Sequence, residues 1–196
     1  MASSDIGRLV IISGPSGVGK TTVVQRVLRE SSLPLQLSIS ATTRSPRAGE
    51  QDGVHYHFLT AERFAELREQ DAFLESFEVF GRGHWYGTLR DEVATGLRQG
   101  KWVILEIDVQ GAARAVEQHP DAITIFIRPE SLEELERRLR GRGTETEERI
   151  QSRLETARHE LERAGWYTHQ VVNDTVGQTV ADICDILENA RSSHDA

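Results

Sequence analysis

A chain of 196 residues, 38% apolar and 28% charged, is long enough to bury a core and has the make-up of an ordinary globular protein. Its net charge of −8 disfavours bulk binding to nucleic acid or to an anionic membrane, both of which reward a basic surface. The single cysteine, Cys184, excludes an internal disulfide and a cysteine-rich metal site, and no apolar run nears the ~18 residues that span a bilayer, so a cytoplasmic protein is expected.

The apolar run Leu9–Ile12 leads into Gly14-Pro15-Ser16-Gly17-Val18-Gly19-Lys20-Thr21-Thr22, and Val23, Val24, Val27 and Leu28 then repeat at helical spacing up to Pro34. Strand, GxxxxGK[ST] and helix in that order make a phosphate-binding loop. Its glycines let successive N–H groups point inward, and the helix opening near Lys20 turns its positive end to the same concavity. Lys20 can reach the β- and γ-phosphates of a nucleoside triphosphate, and the Thr21 hydroxyl can hold Mg²⁺.

From Leu37 to about Thr95 the runs are short and alternating, which suggests an insertion into the core fold. Arg44 and Arg47 flank Pro46 in a stretch that cannot be a regular helix; they suit a phosphate or carboxylate, or else a solvated basic turn. Val54, Tyr56 and Phe58 alternate with His55 and His57, predicting a strand with both histidines toward solvent. Thr60 caps a short helix bearing Phe64 and Leu67. In the next predicted strand Phe73, Glu75, Phe77 and Val79 share a face, with Glu78 on the other. A carboxylate in line with apolar residues needs a partner, either an internal arginine or the N–H groups of a ligand. The glycine-punctuated stretch from Gly81 brings Tyr86 and Thr88 within reach of a bound molecule.

Trp102–Leu105 reads as a parallel strand buried on both faces and ends in Glu106-Ile107-Asp108, so Asp108 is a candidate second anchor for Mg²⁺ beyond the strand's carboxyl end. Ala122–Ile127 is another buried strand. Ser131 with Glu134 is a capping box opening a helix with Leu132, Leu135 and Leu139 inward. Arg138 and Arg142 lie four apart on that helix, and Arg149 and Arg153 four apart on a second, with a glycine turn between. Such a flap can bring positive charge to a transferring phosphate and exclude water. Val171-Val172-Asn173-Asp174 ends a last strand, and Val176–Leu187 forms a closing helix whose apolar face includes Cys184.

Taken together, the residues resemble guanylate kinases along almost the whole chain. The matching stretches are GPSGVGKTT (Gly14–Thr22), TTRSPRAGE (Thr42–Glu50), GVHYHF (Gly53–Phe58), YGT (Tyr86–Thr88), EIDVQG (Glu106–Gly111) and RLRGRGTETEE (Arg138–Glu148). The resemblance implies an α/β P-loop three-layer fold with a parallel central sheet, a small mixed GMP-binding insertion (40–95) and a helical lid (138–154), on a core of 1–39, 96–137 and 155–196. It implies Mg²⁺-dependent transfer of the γ-phosphoryl group of ATP to GMP, with insertion and lid closing when both sites fill. By position, Ser40, Arg44, Arg47 and Tyr56 would hold the GMP phosphate with Tyr86 beside it. Glu75 and Thr88 would read guanine, with Asp108 near. Lys20, Arg138, Arg142 and Arg153 would stabilise the transferring phosphate, and Asn173 matches a position near adenine. Glu106 stands where many members carry aspartate, Thr88 where some carry serine, and the 81–85 loop is one residue longer than a Gly-Asn-Tyr-Tyr-Gly pattern. A scaffolding module of the same family, binding protein ligands in the GMP region, is the alternative; the intact loop and arginine-rich lid argue against it. No protein partner is demanded, because the apolar helix faces are accounted for by the core.

Overall fold

The structure is a computed structural model and describes residues 7–78, 83–141 and 146–193. The chain opens with β1 (Leu9–Ser13), buried at every residue, and α1 (Lys20–Glu30), which buries Val23, Val24 and Val27. Next come β2 (Leu35–Leu37), β3 (Ala41–Thr42), β4 (His57–Phe58), α2 (Ala61–Glu69), β5 (Phe73–Glu78), β6 (Trp85–Leu89) and α3 (Arg90–Arg98). The later elements are β7 (Trp102–Glu106), α4 (Val109–Gln118), β8 (Ile123–Pro129), α5 (Leu132–Gly141), α6 (Glu147–Glu162), β9 (His169–Asn173) and α7 (Val176–Ser192). A short 3₁₀ turn, Arg163–Trp166, links α6 to β9.

A five-stranded sheet runs in the order β2-β7-β1-β8-β9, with β2 parallel to β7 and β8 parallel to β9. Non-consecutive neighbours of this kind require crossovers, the signature of an α/β fold with a parallel central sheet. A second, four-stranded sheet has the order β4-β3-β6-β5 and is mixed: β3 is parallel to β4, while β6 is antiparallel to both β3 and β5. The chain divides into two compact units, Met1–Val10 with Pro34–Leu105 and Gln110–Ala122, and Ile11–Leu33 with Glu106–Val109 and Ile123–Ala196.

In the first unit Ala41, Phe64 and Phe73 form a small buried cluster, with the rings of Phe64 and Phe73 stacked at 4.4 Å. The Thr60 hydroxyl accepts from Arg63 N at 3.1 Å, the predicted cap of α2. In the second unit α5 packs on α6 through Leu135, Leu139, Ile150, Leu154 and Ala157. Ser131 Oγ accepts from Glu134 N at 3.1 Å, but the Glu134 carboxylate turns to Arg137 and Arg138, so only that half of the capping box is seen. Among the described residues no helix is long and apolar enough to cross a membrane.

Several local expectations are corrected. Val54 does not extend a strand: residues 53–55 form a turn, Val54 is 58% exposed, and β4 keeps only His57 and Phe58. His57 is only half-exposed, and its Nε2 lies 3.1 Å from Glu92 Oε2, a partner on α3 that no local pattern reveals. In β5 the pairing with β6 shifts between Phe73 and Glu75, so Leu74 is buried beside Phe73 and Glu75 and the strict alternation fails. Cys184 is half-buried rather than inside the core, and α7 continues past Leu187 to Ser192.

Candidate active site

In the second unit the loop between β1 and α1 is shaped by glycine where a side chain could not stand. A Cβ at Gly14 would lie 2.2 Å from Ile127 O, and Gly19 takes φ +101° as the residue capping α1, with the Asn173 amide 2.9 Å from where its Cβ would be. Val18 N closes the loop onto Pro15 O at 3.1 Å. Ser16, Gly17 and Thr22 complete the segment, and Thr22 at the head of α1 is exposed.

Lys20 is turned into this loop. Its Nζ donates to Gly14 O and, at 3.3 Å, to Pro15 O. Burial pushes its pKa down, while the fields of Glu160, Glu106 and Asp108 oppose that shift and favour the charged amine. The neighbouring Thr21 hydroxyl donates to Glu106 Oε1 at 2.6 Å. Thr21, Glu106 and Asp108 offer oxygen donors only, a set that suits a hard cation completing its shell with phosphate oxygens and water.

Two residues named from the sequence fasten the loop from outside. The Asn173 side chain, 2% exposed, donates to Val18 O at 2.6 Å and accepts from the Thr179 hydroxyl at 3.0 Å. Arg138 on α5 is held by Glu134 at 2.8 Å and donates to Asn173 O at 3.0 Å and Val18 O at 3.4 Å. Arg153 is half-buried on α6; Arg142 lies outside the described residues.

Glu160, not singled out in the sequence, belongs to the same cluster. It continues the buried face Ile150, Leu154, Ala157 of α6 and is 9% exposed. Burial pushes its pKa up to about 7, with Lys20 and the Ser16 N–H favouring the charged form and Asp108 opposing it. A carboxylate at helical spacing on an apolar face was the available signal. Tyr167 shares the cluster, its phenol pushed up mainly by burial. Because the folded chain holds the Glu160 proton more tightly than the unfolded chain, this group stabilises the fold fully below about pH 4.5 and loses that contribution as pH rises through about 7. Calorimetric unfolding between pH 5 and pH 8 should therefore show a loss of stability of roughly 2 kcal/mol that Glu160→Gln abolishes. An equal loss in the variant would count against it.

In the first unit a second constellation forms around β3, β5 and β6. Arg44 Nη1 and Nη2 each donate to a Glu50 oxygen at 2.9 Å, its Nη1 also reaches Ser45 O at 2.7 Å, and its Nε donates to Tyr86 Oη at 3.1 Å. The guanidinium lies over Tyr56 at 5.4 Å and Phe58 at 5.8 Å, and Tyr56 meets Tyr86 edge-on at 5.8 Å. The Arg44 hydrogen bonds hold the Glu50 carboxyl at about 2, and Glu50 Oε2 also accepts from Arg47 N at 2.7 Å. Arg47 is exposed, Ser40 is half-buried, and Ser40 O accepts from His57 N at 3.0 Å. Glu75, 3% exposed, accepts from the Thr88 hydroxyl at 2.6 Å. That hydroxyl is neither of the partners expected for Glu75. It is available because Glu75 and Thr88 face one another in the β5–β6 ladder.

The guanylate kinase family model matches residues 6–190. A guanylate kinase of Rhodopirellula baltica is 53% identical over 188 residues, covering 95% of this chain and 90% of its own, and one of Mycobacterium leprae is 47% identical, covering 96% and 90%. The crystal structure of guanylate kinase from Anaplasma phagocytophilum superposes with a TM-score of 0.78 at 30% identity, covering 95% of this chain and 87% of that one. A family model over residues 6–190 and relatives matched nearly end to end show that the chain belongs to the guanylate kinase family.

Proposed function

We propose that this protein transfers the γ-phosphoryl group of ATP to GMP, and to dGMP, giving ADP and the guanosine diphosphate. The observation that carries the acceptor assignment is the buried Glu75 carboxylate bonded to Thr88 at 2.6 Å. A carboxylate can accept from both N1–H and the 2-amino group of guanine, and the Thr88 hydroxyl can serve O6 by turning its one proton from Glu75 to the base. Adenine presents an acceptor at N1 and would leave the carboxylate unsatisfied. Family membership and the intact loop, with Lys20 in place, support an enzyme rather than a scaffolding module.

Each substrate has its own residues in this reading. The loop Gly14–Thr22 cradles the ATP phosphates, with Asn173 holding the loop toward the adenine end. Lys20, Arg138, Arg142 and Arg153 offset the negative charge spread over the transferring group. Ser40, Arg44, Arg47, Tyr56 and Tyr86 hold the acceptor phosphate, and Glu75 and Thr88 orient the base. Thr21 and Asp108 would hold Mg²⁺, with Glu106 fixing the Thr21 hydroxyl; when bound, the ion neutralises phosphate charge. No strong base is needed, because the acceptor is already a phosphate oxygen and positioning and electrostatics lower most of the barrier. The insertion 40–95 and the lid 138–154 are the segments assigned to acceptor binding and closure.

The test is a coupled ADP-release assay with ATP, Mg²⁺ and, in parallel, GMP, dGMP, AMP, CMP and UMP. Strong preference for the two guanine nucleotides is expected. Binding of GMP without ADP release from any acceptor would overturn the enzyme reading in favour of a module for protein ligands.

A further inference from the structure

Gly111 is the third residue of α4, and nothing in the chemistry assigned above uses it. It is buried, and a Cβ built on it would stand 3.0 Å from Glu75 Oε2, 3.3 Å from Glu75 Cδ and 3.2 Å from the edge of the Phe77 ring. An alanine would be the better helix former at this place, so the backbone has no need of glycine. The space above it does. We infer that Gly111 is a specificity-determining positioning residue: the side chain it lacks leaves the room in which the Glu75 carboxylate stands, and so sets where the base-reading oxygens lie.

The carboxylate cannot step aside at little cost. Its Oε1 is held by the Thr88 hydroxyl at 2.6 Å, and both residues are almost wholly buried, at 3% and 1% exposure. A methyl group on residue 111 moves Glu75 by a few tenths of an ångström and stretches or breaks the Thr88 bond. Phe77, on the same strand, crowds the same Cβ at 3.2 Å. Two hydrogen bonds to N1–H and the 2-amino group of guanine demand both oxygens in register. A shifted carboxylate keeps one bond and loses the other, so discrimination against a 6-oxopurine that lacks the 2-amino group falls.

This inference rests on the reading of Glu75 as the guanine-recognising group, and the experiment separates the two. Gly111→Ala, Glu75→Asp and the double variant are compared with the unsubstituted chain for KM and kcat with GMP, IMP and ATP, and for melting temperature. Gly111→Ala is expected to raise KM for GMP about tenfold and to shrink the GMP-to-IMP preference in kcat/KM by a similar factor, with KM for ATP unchanged. Aspartate withdraws the carboxylate by roughly 1.5 Å, so Gly111→Ala should cost less in the Glu75→Asp background than beside Glu75 itself. A folded Gly111→Ala that keeps the preference and the KM for GMP within twofold overturns the inference, as does a parallel rise in KM for ATP. If Gly111→Ala does not fold, restoration of folding by Glu75→Asp supports the contact and failure to restore it refutes it. An unsubstituted chain that treats GMP and IMP alike sinks the guanine reading itself, and the melting temperatures of the four proteins then decide the Gly111–Glu75 contact alone.

Discussion

Lys20→Ala is expected to lower kcat for phosphoryl transfer by about 10³-fold or more, roughly 4 kcal/mol of transition-state stabilisation, with KM for GMP unchanged. The size follows from where the amine sits. Lys20 is enclosed in the loop, desolvated enough that its pKa falls, and supported as a cation by Glu160, Glu106 and Asp108. A positive charge half-buried in the loop acts on a phosphate through a lower effective dielectric than in water. The bonds to Gly14 O and Pro15 O also give Lys20 a hand in shaping the loop, so a drop in activity alone would be ambiguous. Lys20→Met keeps the apolar stem and removes the charge. If it loses as much turnover as alanine while its melting temperature stays put, the charge is responsible. Recovery of most of the activity in the methionine variant would show that the stem was what mattered.

Glu75→Gln should reduce kcat/KM for GMP by roughly 10³-fold and affect IMP less. Glutamine keeps the shape and can still accept from Thr88, but it turns one acceptor into a donor. That NH₂ would face the N1–H or the 2-amino group, two donors opposed in a buried place. IMP, with a single donor on that edge, loses less. Steady-state kinetics with both nucleotides at fixed ATP decide the matter. Equal losses for GMP and IMP would place the role of Glu75 outside recognition of the base.

The parts of the fold legible in the chain are those whose signal is local. Leu9–Ser13 followed by the glycine loop and α1 needs nothing beyond its own residues, and neither do the apolar runs of β7 and β8 or the Thr60 and Ser131 caps. The alternating pattern misleads where a distant partner or a tight local turn decides. His57 is held by Glu92, 35 positions away, and Val54 turns out to solvent because Gly53 N and His55 N are taken up in a tight turn with Tyr56 O and Gln51 O. The helix α3 is as long as α2 but lacks a side-chain cap like that of Thr60, so nothing local marks where it starts. For the site, Glu75 was legible as a carboxylate out of place, but its Thr88 partner required the β5–β6 register. Glu160 carries the same kind of signal, but the neighbouring Leu161 continues the spacing of Ile150, Leu154 and Ala157 almost as well and masks it.

The grip of Glu50 on Arg44 has a consequence for the acceptor. A guanidinium has five N–H groups, and Tyr86, Ser45 and the two Glu50 oxygens occupy all but one of those on Arg44. In the proposed acceptor site, and among the described residues, an incoming phosphate would therefore receive a single N–H from Arg44 unless it evicts a carboxylate that is itself strongly held. There, a doubly charged phosphate would be better placed than a singly charged ester to contest the second N–H. Arg47, exposed and with no side-chain hydrogen bond among the described residues, keeps its whole fork to offer. One arm is nearly saturated and the other exposed, so in the proposed acceptor site most of the ordering cost would fall on Arg47.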